Sequence, residues 1–465
     1  MLAPQWFSDH NDPFFLVSRS DSTRNTDSRE VPYLSSHGSS TKHMHRDVYS
    51  RLGFYYGWII VAVVFVTLFF ALGLRYAFGV FYVAILDETG WSRAETAGIF
   101  SVAMVVYAFA SLLSGALFDT LGPRRLFPIG AVFLGLGLIL CARAQTITEF
   151  YIYYGLMVGV AYSFLGFITQ AALVSRWFVR RRGLASAIGL SGIGIGALSM
   201  SILSEKLIAA IGWRQTFTVY GFVVMGLLIP LTLLLIRDRP QSIGLNPDGD
   251  ADTRDSPDSS GTAASPSLGQ AVRQPAFWFL FVSVMLLGMN NQTLVVHQTR
   301  LFIDLGFTLA LSASLFGLTG LFRSLGGMIW GALSDRIGRQ PCVLLAIPMA
   351  LLALTALGSS RWYPHVWLLI AFVALWGLGF NGLPPLYAAS VADRFQGRHL
   401  GKIFGLLDVG FGIGSALGPW LTGLLYDRIG RYDPAVWAMM VTTILSGAAL
   451  WLAAPGKPPG ASTRR

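Results

Sequence analysis

Three charged residues lie inside long apolar stretches of this sequence, where no water is at hand to solvate a charge. They are Arg75, Arg323 and Asp408. A charge in such a place is costly, so it is a candidate functional residue by default. A guanidinium suits a carboxylate, because the two groups can form parallel hydrogen bonds. A carboxyl group beside a cation can stay ionised, and it releases that cation when it takes up a proton. This combination indicates binding of an organic anion, coupled to a proton.

Uncharged polar residues accompany these charges. Asn290 and Asn291 interrupt an otherwise apolar stretch that ends at His297, which predicts a helix lining a wet cavity. An imidazole ordinarily titrates near neutral pH, so His297 is a candidate gate or proton contact. Asn381 and Tyr387, in a later stretch, are candidate pocket walls, with helix packing as the equal alternative.

The elements that must position these residues are membrane-spanning helices. Of the 465 residues, 54% are hydrophobic and 12% are charged, too few charges to coat a water-soluble surface. A bilayer core about 30 Å thick needs about 20 apolar residues per helix. The stretches long enough predict an all-α membrane protein with twelve transmembrane helices, at about 55–86, 93–118, 125–143, 149–175, 182–211, 213–236, 275–299, 308–334, 341–359, 363–391, 399–427 and 434–454.

Polar segments divide these helices six and six. Residues 237–273 are rich in Asp, Ser, Pro and Gly and predict a flexible cytoplasmic linker. The expected domains are therefore a six-helix bundle at 51–236 and a second at 274–454. Residues 1–50 and 455–465 are expected to be cytoplasmic tails, the first of them disordered.

One loop motif occurs twice, 216 residues apart, as Gly-Ala-Leu-x-Asp-x-x-Gly followed by basic residues. In each copy, the first Gly is expected to let another helix approach closely, and the Asp to accept from a helix N-terminus or an arginine. The second Gly permits a sharp turn. Two copies half a chain apart indicate a duplicated bundle, with these conformational residues: Gly115, Asp119, Gly122, Arg124 and Arg125, then Gly331, Asp335, Gly338 and Arg339.

The basic residues also predict orientation. Arg124, Arg125, residues 180–182, Arg336 and Arg339 fall on the same side as the linker and both termini. Lys and Arg concentrate on the cytoplasmic side of membrane proteins. Both termini are therefore expected to be cytoplasmic, in a multi-pass protein of the cell membrane, with a bacterial inner membrane the favoured one.

Two further patterns are a helix-capping motif and a second internal repeat that is rich in glycine. Ser92 with Glu95 is a capping box that is expected to start the second helix. Residues 176–196 align with 394–414, including two glycine ladders. Glycines at this density are expected to pack the fifth and eleventh helices closely on partner helices: Gly192, Gly194 and Gly196, with Gly410, Gly412 and Gly414.

The duplicated loop motif resembles the loops between helices 2 and 3 and between helices 8 and 9 of the major facilitator superfamily. Six local strings, among them YGW at 56–58, RWFVRRRGLA at 176–185 and HQTRLFIDLG at 297–306, are similar to the monocarboxylate transporters and the related oxalate/formate antiporters. The resemblance covers about 57–454. It implies two pseudo-symmetric six-helix bundles that rock about a midplane site.

The resemblance also implies roles for the buried charges. Arg323 lies 12 residues before Asp335, about 18 Å above the loop, where these transporters carry an arginine that binds the substrate carboxylate. A structural ion pair is the alternative for Arg323. Asp408 lies at a similar depth, and its residue type and position, not the resemblance, suggest either a proton carrier or a static partner of Arg323. Arg75 or Tyr76 is expected to guide the anion from the outside, unless Arg75 extends to the outer interface.

The resulting prediction is a secondary active transporter of a small monocarboxylate, similar to lactate or pyruvate, acting by alternating access with a proton. The alternatives are an organic-anion exchanger or uniporter, and a non-transporting membrane sensor. No nucleophile-base pair, metal cluster or phosphate loop occurs in the sequence, so we expect no enzyme activity, no metal and no cofactor. The net charge of +10 lies in short loop clusters, which argues against nucleic acid as a partner. The expected partners are the anion, a proton and the lipid bilayer, with the protein a monomer.

Overall fold

The computed structural model describes residues 54–249, 267–395 and 400–454. Both predicted terminal tails lie outside this part of the chain. Eleven described helices are long and apolar enough to cross a membrane, and the longest, Arg182–Leu235, is broken at Gly212 (φ 77°) into two spans. The predicted total of twelve is confirmed. The helices are α1 Gly57–Thr89, α2 Arg93–Leu121, α3 Pro123–Cys141, α4 Ile147–Trp177, α5 182–211, α6 213–235, α7 Pro275–Asp304, α8 Leu309–Ile337, α9 Arg339–Ser359, α10 Val366–Arg394, α11 Gly401–Ile429 and α12 Asp433–Ala453.

The described helices form two halves, α1–α6 and α7–α12, each with its own buried apolar cluster. Trp177 is among the largest fully buried side chains of the first cluster, and Trp376 among those of the second. Large apolar side chains such as Phe222, Leu352 and Trp437 are exposed on the helix surfaces. Apolar exposure of this extent suits helices that are surrounded by lipid.

Helix starts and turns follow from local residue types. The predicted capping box is confirmed, since the Ser92 hydroxyl accepts from the Glu95 amide and the Glu95 carboxylate accepts from the Ser92 amide. The turns after α2 and α8 use the second motif glycines, Gly122 (φ 77°) and Gly338 (φ 95°). Only glycine takes such positive φ values without strain. The two copies of the loop motif therefore fold alike.

The glycine ladders of α5 and α11 pack closely, as predicted, and they do so symmetrically. A methyl group on Gly192 or Gly196 would collide with the α1 backbone, and one on Gly414 with the α7 backbone. The middle glycines face the other half, with Gly194 against Ser324 of α8 and Gly412 against Ala108 of α2. Each ladder therefore holds its own half together and also forms the contact between the halves.

The first part of the predicted flexible linker is packed on the first half instead. Ile243 is 8% exposed and belongs to the first apolar cluster. Asp248 accepts hydrogen bonds from the amides of Val179, Arg180 and Arg181 just before α5. Burial raises the pKa of the Asp248 carboxyl, but these three backbone hydrogen bonds outweigh it and hold the pKa below its ordinary value. Residues 250–266 lie outside the described part.

Candidate functional site

The two ends of the helical bundle differ, and we name each by its residues. The motif end carries Asp119 and Asp335, and the network end carries Arg93, Asp304 and Asp427. Both described chain ends lie at the motif end, where the Tyr55 hydroxyl donates to the Trp177 carbonyl and the Gln340 amide donates to the Ala454 carbonyl. The candidate site lies between the two ends, in the middle of the bundle.

Arg75 is a buried charge in the middle of α1, with 5% of its surface exposed. Its Nη2 donates to the Met104 thioether at 2.8 Å. Its guanidinium faces the rings of Tyr107 and Tyr162, with the carbon 5.1 and 5.8 Å from the ring centroids. Its Nε has no hydrogen-bond partner among the described residues. Arg75 thus contacts a thioether and two aromatic rings, and its Nε–H donates to no described residue.

Asp408 of α11 interacts electrostatically with Arg75. No ion pair joins Asp408 to Arg323 in the described part of the chain, so the alternative of a static partner of Arg323 finds no support there, and the role of proton carrier stays a prediction. Tyr107 of α2 and Tyr387 of α10 also interact electrostatically with Asp408. Its Oδ2 is buried and accepts no hydrogen bond from a described group. Asp408 therefore lies between the two halves with an unsatisfied acceptor.

Arg323 forms a second polar cluster with two residues that the sequence analysis also selected. Its Nη2 donates to Asn291 Oδ1 at 3.1 Å, and its guanidinium carbon lies 4.6 Å from the Tyr76 ring centroid. Its Nε has no partner among the described residues. Asn291 is on α7 and Tyr76 on α1, so helices of both halves hold this guanidinium.

Tyr76 connects the two clusters. It follows Arg75 directly on α1, its ring lies against Arg323, and its hydroxyl interacts electrostatically with Tyr107. Arg75 and Arg323 therefore belong to one polar region in the middle of the bundle. With Asp408, the three charged groups sum to one positive charge when all are ionised. An electropositive, partly desolvated region of this kind is suited to a small anion.

Not every predicted residue reaches this region. Asn290 faces α12, where its Nδ2 donates to Thr443 at 3.1 Å and its Oδ1 accepts from Thr442 at 2.8 Å. Both polar atoms of its side chain are hydrogen-bonded to α12, so Asn290 does not contact Arg323. The side chain of Asn381 lies outside the described part of the structure.

His297 lies at the network end, apart from the cluster around Asp408. One ring nitrogen, Nε2, is 2.9 Å from the Pro419 carbonyl, which can only accept, so Nε2 donates. Nδ1 therefore accepts from the Tyr432 hydroxyl at 3.1 Å. His297 thus contacts α11 and the residue before α12 at the network end, not Asp408, and its predicted roles as a gate or a proton contact stay predictions.

The sequence analysis did not select Arg93, which lies at the centre of the network end. Arg93 of the first half donates through Nη1 to Asp304 at 2.6 Å and to the Tyr432 hydroxyl at 2.7 Å, both in the second half. Its guanidinium carbon lies 3.5 Å from the ring centroid of Tyr426. A second ion pair between the halves joins Arg300 of α7 to Asp87 of α1 at 2.5 Å. These contacts close the network end between the halves.

Asp427 forms a further hydrogen-bonded contact between the halves, and the sequence carries a signal for this residue. Its carboxylate accepts from the backbone amides of Arg93 at 3.0 Å and Ala94 at 2.8 Å, so it caps the N-terminus of α2 from the other half. Residues 427–431 read Asp-Arg-Ile-Gly-Arg, identical to residues 335–339 of the loop motif. This third copy of the motif core could have identified Asp427 as a conformational residue.

At the motif end, the ion pairs lie within each half. Asp119 accepts from Arg176 at 2.7 Å, and Arg339 pairs with Asp335 at 2.7 Å and with Asp393 at 3.2 Å. The prediction that the motif aspartates accept from arginines is confirmed. Arg124 donates to Leu233 and Asp238 near the end of α6, while Arg125 is exposed.

The close helix approach predicted at Gly115 and Gly331 is wrong for this conformation. A methyl group added at either position would meet no atom within 4 Å. The physical reason is that the halves diverge toward the motif end. Between α2 and α11, a methyl group added at Gly423 or Gly412 would collide with Ala94 or Ala108, whereas one added at Gly405 would only approach Leu112, at 4.0 Å. The described contacts between α2 and α11 are therefore closer at the network end than at the motif end.

Comparison with known proteins supports this architecture. The family model of the Major Facilitator Superfamily matches residues 64–363 and 301–465. The uncharacterized MFS-type transporter YhjX of Escherichia coli (strain K12) is 24% identical over 74% of this chain and 83% of its own length. Monocarboxylate transporter 13 of Bos taurus is 26% identical over 86% of this chain and 89% of its own length.

Solved structures show the same fold at lower identity. A D-xylose-proton symporter has a TM-score of 0.65 and 16% identity, covering 86% of this chain and 98% of its own. A bacterial homologue of the human lysosomal transporter Spinster, solved inward-facing and unoccupied, has a TM-score of 0.65 and 15% identity, covering 86% and 97%. The chain therefore belongs to the Major Facilitator Superfamily and is similar to its monocarboxylate transporters.

Proposed function

We propose that this protein carries a small monocarboxylate across the cell membrane together with a proton. The observation that carries the proposal is the pair of guanidiniums, Arg75 and Arg323, which share the middle of the bundle with a single carboxylate, Asp408. The relatives named monocarboxylate transporters support the substrate class. Arg323 binds the substrate carboxylate, because it lies where both halves meet and has a donor without a partner among the described residues.

Charge balance connects the anion to the proton. The empty region carries one net positive charge when Asp408 is ionised. Binding a monocarboxylate alone would remove that charge, whereas binding an anion and a proton together leaves it unchanged. A proton on Asp408 also weakens its hold on Arg75, so that Arg75 is free to attract the anion. The two ligands therefore favour each other.

Alternating access requires the contacts at one end of the bundle to break while those at the other end form. The network end is closed by ties from Arg93 and Arg300 to the second half, and these must break for the site to reach the opposite side. With both termini cytoplasmic, as the distribution of basic loops favours, the motif end faces the cytoplasm. The protein then acts as a monomer in the cell membrane and carries out no enzymatic reaction.

Uptake into proteoliposomes tests the proton. We expect the purified protein to accumulate labelled lactate when an inward proton gradient is imposed, and the Asp408→Asn variant to equilibrate lactate without accumulation. Asn290→Ala is the matched control, since Asn290 lies outside the central region. Gradient-driven accumulation that survives in Asp408→Asn would remove Asp408 as the proton carrier.

An exchanger or uniporter of organic anions is the second candidate. It is favoured if Asp408 is a permanent counter-charge of Arg75, which their electrostatic interaction also allows. Under that mechanism, uptake needs a preloaded anion or follows the anion gradient alone, and it is insensitive to an imposed proton gradient.

A further inference from the structure

The hydroxyl of Tyr432 lies between a guanidinium of the first half and an imidazole of the second. Arg93 Nη1 donates to the hydroxyl oxygen at 2.7 Å, because a guanidinium carries only donors. The one hydroxyl proton is therefore given to His297 Nδ1 at 3.1 Å, while Nε2 donates to the Pro419 carbonyl at 2.9 Å. This chain of hydrogen bonds requires a neutral imidazole that carries its proton on Nε2.

A second proton on His297 conflicts with this chain. Protonated Nδ1 is a donor, so the Tyr432 hydroxyl would lose the acceptor of its own proton. An imidazolium and a guanidinium would then face the same hydroxyl oxygen. His297 is 1% exposed and Arg93 is 8% exposed, so water screens the repulsion of these two charges little. The closed network end therefore excludes a proton from His297.

The other charged and titratable groups around His297 are already engaged. Asp304 divides its two oxygens between Arg93 and Arg300, and Asp427 accepts from two backbone amides of α2. Neither carboxylate is bonded to the imidazole, since both ring nitrogens have other partners. The groups considered are Tyr82 and Asp87 of α1, Arg93 of α2, Arg300 and Asp304 of α7, Tyr426 and Asp427 of α11, and Tyr432 before α12.

We propose that His297 is a proton-binding residue that controls the network end, and that its protonation opens the contact between the halves. Once Arg93 has separated from Tyr432, the imidazole is hydrated and accepts a proton as it does in water. A proton that binds the open form more tightly shifts the equilibrium toward that form. The proton must leave His297 before the network end closes again.

This role is separate from that of Asp408 and needs no anion. The direction of the effect rests on the proposed function, which places the motif end in the cytoplasm. The network end then faces the outside, so external acid opens the site toward the side from which the anion and its proton enter.

Labelling of a buried cysteine tests the proposal without substrate. Thr299 of α7 is fully buried and faces Gly79 of α1, in the other half. In the purified full-length protein with both native cysteines replaced, we would measure maleimide labelling of Thr299→Cys at about pH 7.5 and about pH 5.5. Each rate is divided by the rate of the same variant unfolded in SDS at that pH, because thiol reactivity itself depends on pH. The quotient reports how often the network end opens.

The expected size follows from the open form. An imidazole in water takes up a proton at about pH 6.5, so the quotient should rise about tenfold from the higher pH to the lower. His297→Asn keeps an acceptor for Tyr432 but does not titrate in this range, and it should bring the pH dependence near one. His297→Gln, which can donate to the Pro419 carbonyl instead, is a second neutral variant with the same expectation.

Two controls locate the proton. His365 is exposed in the loop between α9 and α10, at the same end of the bundle, so His365→Asn should keep the tenfold rise. Asp408→Asn should keep it as well, because Asp408 lies outside the network end. Both results support His297 as the controlling residue.

Two results would overturn the inference. An unchanged quotient between the two pH values in the wild-type background would mean that protons do not open the network end, whether or not any variant folds. A rise that persists in His297→Asn and disappears in Asp408→Asn would assign the proton to Asp408, and the proposed function would then stand without this role of His297.

Discussion

Arg93, at the start of α2, donates to Asp304, at the end of α7, across 2.6 Å and so joins the two halves at the network end. The side chain of Arg93 is 9% exposed and that of Asp304 is 24% exposed, so solvent screens this pair little. The same guanidinium lies on the Tyr426 ring and donates to Tyr432. One residue of the first half thus contacts α7, α11 and the start of α12.

Loss of this side chain is expected to open the network end. We predict that Arg93→Gln speeds the labelling of a cysteine placed at Thr299, a buried α7 residue, at least several-fold by a membrane-impermeant maleimide. The native cysteines, both buried, would first be replaced. Arg214→Gln is the matched control, because Arg214 pairs with Glu88 inside the first half. Equal labelling rates in the two variants would contradict the role of Arg93.

The contact between α2 and α11 leads to a prediction about packing. A larger side chain at Gly412 collides with Ala108 in the other half, so Gly412→Val is expected to abolish transport. It should leave thermal unfolding in detergent little changed, because the collision disappears when the halves separate. Gly226→Val is the control, since Gly226 has no neighbour within 4 Å and is exposed. If Gly412→Val transports at the wild-type rate, the halves do not close along this line.

Two adjacent asparagines are expected to behave differently. Asn290→Ala removes hydrogen bonds to Thr442 and Thr443, so it should lower the free energy of unfolding by about 1–3 kcal/mol and leave the substrate KM unchanged. Asn291→Ala removes the acceptor that orients Arg323, so it should raise KM with little effect on stability. Unfolding in detergent and initial uptake rates measure the two effects, and the reverse pattern would exchange their roles.

The docked part of the linker depends on an ionised Asp248. Because its pKa lies below the ordinary value, the three hydrogen bonds that it accepts persist at neutral pH and are lost only as the pH falls through that lowered pKa. We predict that Asp248→Ala speeds hydrogen exchange at Val179 and Arg180 at neutral pH. Asp238→Ala, which removes a different linker contact, should leave those amides protected. Unchanged exchange in Asp248→Ala would contradict the docking.

The sequence predicted the helices well because each of them depends on local composition. Twelve apolar stretches and the break at Gly212 can be identified within windows of about 20 residues. The presence of a charge within an apolar stretch was equally accessible, and it singled out Arg75, Arg323 and Asp408, although Arg75 was expected nearer the outer end of α1 than the middle, where it lies. The direction in which a side chain points was not accessible, so the sequence offered Arg323 as one possible partner of Asp408 and did not identify the interaction of Asp408 with Arg75.

The same limit explains the other differences. Asn290 and Asn291 are adjacent in sequence but about 100° apart around α7, so one packs on α12 and the other binds Arg323. The role of Arg93 was missed because Arg93 contacts residues 211 and 339 positions away in the chain. Only the repeated Asp-Arg-Ile-Gly-Arg string at 427–431 carried a local signal for the network end.

The most direct test of the central claim is uptake of labelled lactate by proteoliposomes that contain Arg323→Gln, under an inward proton gradient. A carboxylate bound by this guanidinium should lose at least tenfold in affinity when the charge is removed. We predict that uptake at lactate concentrations well below the wild-type KM falls at least tenfold, while the control Arg214→Gln retains uptake. Wild-type KM and rate in Arg323→Gln would contradict the account.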